Sequence, residues 1–253
     1  MMIQKWMCLG LALALIMACN DQANAPATFS IAEAEQLVVV QGADWNESFG
    51  TMYTFERDSP EQPWQEAMSP FPVVLGLSGL AWGNGLEDYR VGQSNKKIEG
   101  DKRSPAGIFR LSSAFGSKSP GEAAVTNMPY QQITETTRCI EDGSSAHYNS
   151  IVDERLVDAD WDAADKMLRT DSLYSWGVFV DHNIASEAEA GSCIFMHVWR
   201  GKDKGTLGCT AMEYYKMQEF VYWLKNRKHP LLVQLPKIEY LTKKDEWNLP
   251  AIP

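Results

Sequence analysis

Apolar runs broken by glycine constrain this chain more than any other feature. The clearest is FPVVLGLSGLAWG, residues 71 to 83, interrupted by Gly76, Gly79 and Gly83. Such a run reads as buried strand with bulges or turns at the glycines. Others like it follow. FGTMYTFERD (49 to 58) alternates in part and carries Tyr53 and Phe55. GDKRSPAGIFRL (100 to 111) opens on a turn, where Ser-Pro and Gly107 supply the turn chemistry, and continues as a short strand. WGVFVDHN (176 to 183), SCIFMHVW (192 to 199) and HPLLVQLP (229 to 236) are further strands. Nine Trp and twelve Pro fit a loop-rich β protein better than a helical bundle.

Two segments carry a helical pattern instead. DADWDAADKMLRTDS (158 to 172) places Trp161, Ala164 and Leu168 on one face, with Asp160 as its cap. MEYYKMQEFVYWLKNRK (212 to 228) has a stripe of Met217, Phe220, Val221 and Leu224, and Lys225, Arg227 and Lys228 suit its C-terminal end. The expected class is mainly β with flanking α-helices. With 253 residues and no interior break in composition, one large domain is expected over 41–253.

The N-terminus bears on export. MMIQKWMCLGLALALIMAC has one lysine, an apolar run too short for a stable span, and then Ile16-Met17-Ala18-Cys19. This reads as a lipoprotein signal over 1–18, cut before a lipid-modified Cys19. An ordinary secretory signal cut near Ala25 is the alternative. Export follows either way. Asn20 after the cysteine favours a lipid-anchored periplasmic protein at the outer membrane. Residues 19–40 are then the lipidated N-terminus and a tether, of which DQANAPATFS is the polar part. A formal net charge of −10 without a basic run argues against nucleic acid as a partner. Nothing in the sequence sets the oligomeric state.

Export changes the meaning of the five cysteines. Cys8 leaves with the signal and Cys19 takes lipid. Cys139, Cys193 and Cys209 remain, and in an oxidising compartment two of them pair in one of three ways. Cys209 sits in GTLGCTAM, twelve positions after His197. A nucleophilic thiol needs a base or a positive dipole nearby. His197 ends a strand whose alternation puts Cys193, Phe195, His197 and Trp199 on one face and Ile194, Met196 and Val198 on the other. Gly208 permits close backbone approach, and the predicted helix after Cys209 would favour negative charge at its N-terminus. On spacing alone, a buried spectator cysteine beside a satisfied histidine fits as well. Trp199 either lines a cleft or simply packs. His182 and Asn183 either face the same groove or form a turn, and Tyr148 and Asn149 are weaker candidates. Asp101 and Arg103 read as turn-fixing residues.

In chain order, GDKRSPAGIFRL, GSCIFMHVW and TLGCTAM resemble the L,D-transpeptidase catalytic domain, the YkuD-like family. Its pattern is Gly-Asp-x-x-Thr-Pro-x-Gly-x-Phe, then a strand His, then Ser/Thr-x-Gly-Cys. Gly100, Asp101, Pro105, Gly107 and Phe109 match the first part, with Ser104 for Thr. His197, Thr206, Gly208 and Cys209 match the rest, and the resemblance spans roughly residues 45 to 240.

The resemblance implies a β-sandwich with peripheral helices. It makes Cys209 the nucleophile and His197 its base. The Val198 carbonyl would orient the imidazole, Thr206 would shape the loop, and amides around Gly208 and Cys209 would hold an oxyanion. With Cys209 so engaged, Cys139 and Cys193 are left to pair. The implied substrate is the peptidoglycan stem peptide. The thiolate attacks the carbonyl of its third residue, a diamino acid, and expels the terminal D-amino acid. The thioester passes to an amine, forming a crosslink, or to water. Neither metal nor organic cofactor is implied. Three departures stand out. Leu207 occupies the usual His position, no Arg follows Cys209, and the His-to-Cys interval is short. Arg200 is then the candidate carboxylate clamp, with a solvated loop arginine as its alternative. Two rival functions stay open: an L,D-carboxypeptidase or other L,D-amide hydrolase on this fold, and a non-catalytic cell-wall-binding lipoprotein.

Overall fold

The computed structural model describes residues 31–253. The signal, Cys19 and the first part of the tether lie outside the described residues. Among those described, the strands are β1 (Gln36–Gly42), β2 (Phe49–Glu56), β3 (Gln65–Val74), β4 (Leu80–Trp82), β5 (Ser104–Gly116), β6 (Tyr130–Gln132) and β7 (Thr137–Ile140). They continue with β8 (Ile151–Asp153), β9 (Ala164–Lys166), β10 (Trp176–Val180), β11 (Phe195–Val198), β12 (Thr210–Met212) and β13 (Leu231–Pro236). Two α-helices accompany them, α1 (Tyr214–Trp223) and α2 (Lys237–Lys243). The class is mainly β with flanking helices.

Eight strands close a ring in the order β10–β11–β12–β3–β2–β1–β13–β5, and β5 pairs back onto β10. β4 and β6 add to β5 outside the ring. The pairing therefore draws a barrel, not specifically the two-sheet sandwich that the resemblance implies. Closure leaves no free edge along the ring. A separate sheet, β8–β7–β9, stands beside the barrel.

β1 corrects the expected tether. Residues 36–40 were assigned to it, yet Leu37, Val38, Val39 and Val40 are fully buried. A continuous β-branched run suits a strand covered on both faces. β1 pairs β2 on one side and β13 on the other, and α2 packs over β13 and β1. The residues before it are also fastened. Arg57 donates to the carbonyls of Ile31, Ala32 and Ala34 at 2.7–2.9 Å.

The helix expected over 158–172 is absent. Its apolar spacing is outcompeted by tertiary contacts. The Asp160 carboxylate accepts from the Ser145 hydroxyl at 2.5 Å and from Ala146 N–H at 2.9 Å, so it holds a neighbouring loop instead of capping a helix. The Trp161 ring lies edge-on to His147, and residues 164–166 join the β7 ladder as β9.

α1 forms where expected, and its stripe of Met217, Phe220, Val221 and Leu224 is buried. Each such side chain stabilises by about 1.5–3 kcal/mol. Glu213 caps the first turn, its carboxylate accepting from Tyr215 and Lys216 N–H. The helix ends where Leu224 turns extended. Beyond it, Lys228 is held by Glu56 at 2.7 Å, fastening the turn between α1 and β13 to β2.

The two faces of β11 separate as the alternation predicts. Ile194, Met196 and Val198 enter the main core. Cys193 and Phe195 belong to a second cluster with Phe115, Cys139, Tyr174 and Cys209. That second face, under the small sheet, is where the chemistry-bearing residues gather.

Candidate active site

A cleft of about 780 Å³ opens between the barrel and the small sheet, and both Cys209 and His197 line it. The loop carrying Cys209 is fixed from several sides. Thr206 and Leu77 exchange backbone contacts with the 75–77 turn, Thr206 N–H to Leu75 O and Leu77 N–H to Thr206 O, each at 2.8 Å. The Thr206 hydroxyl donates to Cys209 O at 2.5 Å and accepts from Gly208 N–H at 3.1 Å. The buried Ser104 hydroxyl donates to the same Cys209 carbonyl at 2.9 Å and accepts from Gly76 N–H. This is why the GDKRSPAGIF turn and the Gly-Cys loop occur together: Ser104 of the first holds the backbone of the second. Gly208 has φ +153°, a conformation an L side chain rarely adopts, and a Cβ there would press on Ile194.

The Cys209 thiol is buried. It donates to Cys193 O at 3.5 Å and accepts from Phe195 N–H at 3.3 Å. Burial pushes it up to about 12, against a small lowering by the Phe195 amide. His197 is buried too, and its Nδ1 lies 2.7 Å from Val198 O. A carbonyl only accepts, so Nδ1 carries the proton and Nε2 keeps a free lone pair. Burial brings this imidazole down to about 4, despite the Val198 carbonyl pulling the other way. The resting pair is therefore a neutral thiol and a neutral imidazole. The thiol's hydrogen bonds go to the backbone and not to His197.

Two expectations about this loop are corrected. The chain enters β12 directly after Cys209 and α1 begins only at Tyr214, so no helix N-terminus faces the thiol. The positive end of α1 is already occupied by Glu213. The Gly208 amide, expected to hold an oxyanion, is engaged by Thr206 in this structure.

The other expected site residues divide. Trp199 and Arg200 line the cleft, and Arg200 is exposed and 3.3 Å from Asp171. Asn183 does not reach it. Its buried side chain donates to Glu187 O and Gly191 O and accepts from Glu187 N–H, and its φ of +55° makes a turn. Its assignment to substrate binding is thus corrected: a turn-forming Asn satisfied by its own loop has no free valence for a ligand. His182 is likewise internal, between Asn84 N–H and Ala190 O. Asn149 braces the same region by accepting from Cys193 N–H at 2.9 Å. Asp101 fixes its turn, accepting from Arg103 N–H and Lys97 Nζ. Cys139 and Cys193 form a disulfide, and Cys209 is the free cysteine among the described residues.

Arg200 apart, the charged residues of the cleft were not legible as such. Lys97, Lys102, Arg169, Arg200 and Lys204 give it five basic groups, and Glu99, Glu141 and Asp165 give three acidic ones. Most of these bases are already paired, Lys97 with Asp101 and both Arg169 and Arg200 with Asp171. Glu141 titrates at about 7, raised first by burial within the cleft wall and then by Asp165 and Glu99. Tyr174 packs edge-on to the His197 ring with centroids 5.2 Å apart. Asp165 was hidden inside the expected helix, and Tyr174 stood in no motif. No family model, curated protein or solved structure matches this chain.

Proposed function

We propose that the chain is an exported, lipid-anchored cysteine acyltransferase of the L,D-transpeptidase type, acting on peptidoglycan stem peptides. One observation carries the reading: a buried free thiol and an imidazole with its Nε2 lone pair free share one cleft. The sequence resemblance supplies the substrate class. In this account Nε2 of His197 takes the Sγ proton as sulfur attacks the acyl carbonyl. The tetrahedral adduct collapses to a thioester, and the imidazolium returns the proton to the departing D-amino acid amine. An acceptor amine, or water, then attacks the thioester with Nε2 as base again. A neutral starting pair suits this sequence, since the proton moves only as the S–C bond forms.

The family reading stands on motif residues and their arrangement, not on the strand path. Its test is incubation of the purified protein, and of Cys209→Ala, with defined muropeptides. Loss of a D-amino acid with a new crosslink supports transpeptidation, and loss with water addition supports the carboxypeptidase. Unchanged muropeptides with retained binding to sacculi would leave only the cell-wall-binding lipoprotein. The anchor is tested separately: Cys19→Ala is expected to move the protein from the membrane fraction to the soluble periplasm. Retention in membranes would contradict lipidation.

A further inference from the structure

We propose that Asp165 and Tyr174 are positioning residues for His197, and that the Cys139–Cys193 disulfide holds them in place. The inference rests on Cys209 and His197 being the reacting pair. It does not depend on which acyl substrate they take.

His197 has one polar anchor, the Val198 carbonyl on Nδ1. A single hydrogen bond leaves the ring free to swing about that contact. A further constraint is Tyr174, whose ring meets the imidazole at 83°. The Tyr174 ring is itself confined by Phe115 and Phe195, both nearly perpendicular to it. Gly177 makes room for this stack. It lies opposite His197 in the β10–β11 ladder, and a Cβ there would meet the Phe115 ring at 2.2 Å.

What fixes Tyr174 along its own axis is its hydroxyl, which donates to Asp165 Oδ2 at 2.8 Å. Arg169 adds a guanidinium over the ring at 5.4 Å and is held in turn by Asp171 through two contacts of 2.9 Å. Asp165 belongs to β9, where its cross-strand neighbour on β7 is Cys139. Cys139 is disulfide-bonded to Cys193, which precedes His197 by four residues on the same strand segment. The connections therefore form a closed circuit: His197, Tyr174, Asp165, the β9–β7 ladder, Cys139, Cys193, and back along the chain to His197. The disulfide shuts the circuit. Without it, the small sheet carrying Asp165 is joined to the strand carrying the base only by the intervening chain and by non-covalent contacts.

The test reads the alkylation rate of Cys209 by peptide-resolved mass spectrometry, together with the imidazole resonances of His197. Tyr174→Phe keeps the ring stack but removes the donor to Asp165. Asp165→Ala removes the acceptor, whereas Asp165→Asn keeps an acceptor oxygen. A displaced base costs on the order of ten- to a hundredfold in rate. Tyr174→Phe and Asp165→Ala are expected to slow alkylation in that range and to shift the His197 ring protons, while Asp165→Asn restores both. Cys139→Ser/Cys193→Ser is expected to slow it similarly. Combined with Asp165→Ala it should add little, because the changes act through one circuit. Thermal melts of each variant verify folding, and Tyr174→Phe, which preserves the packing, decides the matter if the others unfold. Unshifted His197 resonances with an unchanged Cys209 rate in folded Tyr174→Phe would overturn the proposal. So would full additivity of the disulfide and Asp165 changes. Because no peptidoglycan enters the assay, a failed substrate assignment and a failed positioning role give separate results.

Discussion

Burial sets the state of both Cys209 and His197, and the pH dependence of the proposed reaction follows from it. Burial brings His197 down to about 4 and pushes Cys209 up to about 12, so both are neutral across the ordinary range. The base is competent only when Nε2 is unprotonated. The acid limb of kcat/KM is therefore expected near 4, not near the ordinary histidine value of about 6.5. A pH–rate profile for D-amino acid release checks this, and a limb near the ordinary value would mean the imidazole is more solvated than here. His182 is depressed to about 4 as well. Both imidazoles accept protons more readily in the unfolded chain. Stability is then present above the unfolded value and lost as pH falls toward about 4, by up to roughly 3 kcal/mol for each imidazole. Urea midpoints compared at neutral and mildly acid pH measure it. Among individual residues, the closeness of His197, Val198, Thr206, Gly208 and Cys209 was legible because a local pattern carries them; the roles the resemblance gives them belong to the proposal. The place of Asn183 was not, since whether an Asn at a strand end points at a groove or closes a turn depends on a loop eight residues ahead. Tyr174 and Asp165 were invisible for the same reason: their contacts with each other and with His197 form only once separate segments meet.

Elements with strong local periodicity were legible, and those decided by partners were not. α1 follows from its stripe, and its cap is testable. Glu213→Ala removes the acceptor for two first-turn amides and is expected to cost about 1 kcal/mol. A thermal melt reads this directly. The region over 158–172 carried a comparable stripe and failed to form a helix. There Asp160, Asp165 and Trp161 each find tertiary partners that a helix would forfeit. The small sheet made from this region depends on the disulfide, which closes a loop with sequence separation 54. Removing it is expected to cost about 4 kcal/mol in the chain-entropy model. The loss should appear as a lower denaturation midpoint in Cys139→Ser/Cys193→Ser than in the oxidised protein.

For the whole molecule, strand identity was readable and strand partnership was not. Most barrel strands were visible as apolar runs, yet nothing local says that β5 returns to β10 or that β1 lies between β2 and β13. The tether boundary at 40 runs through the apolar Leu37–Val40 run, whose place in the ring is set only by its pairing with β2 and β13. The consequence is sharp. A chain starting at residue 31 is expected to fold, and one starting at residue 41 is expected not to, since it lacks most of a ring strand. Circular dichroism and a cooperative melt distinguish them. The closed ring also brings the thiol and the imidazole together: β11, which carries His197, and β12, which follows Cys209, are neighbours in it, with His197 paired to Ala211, two residues beyond Cys209. The central claim is that this sulfur becomes acylated. Intact-mass and peptide mapping of the protein quenched in acid during turnover of a tetrapeptide muropeptide test it most directly. The account predicts a thioester on Cys209 carrying the donor stem without its terminal D-amino acid, and no adduct in Cys209→Ala. Release of that D-amino acid at an undiminished rate by Cys209→Ala would contradict it.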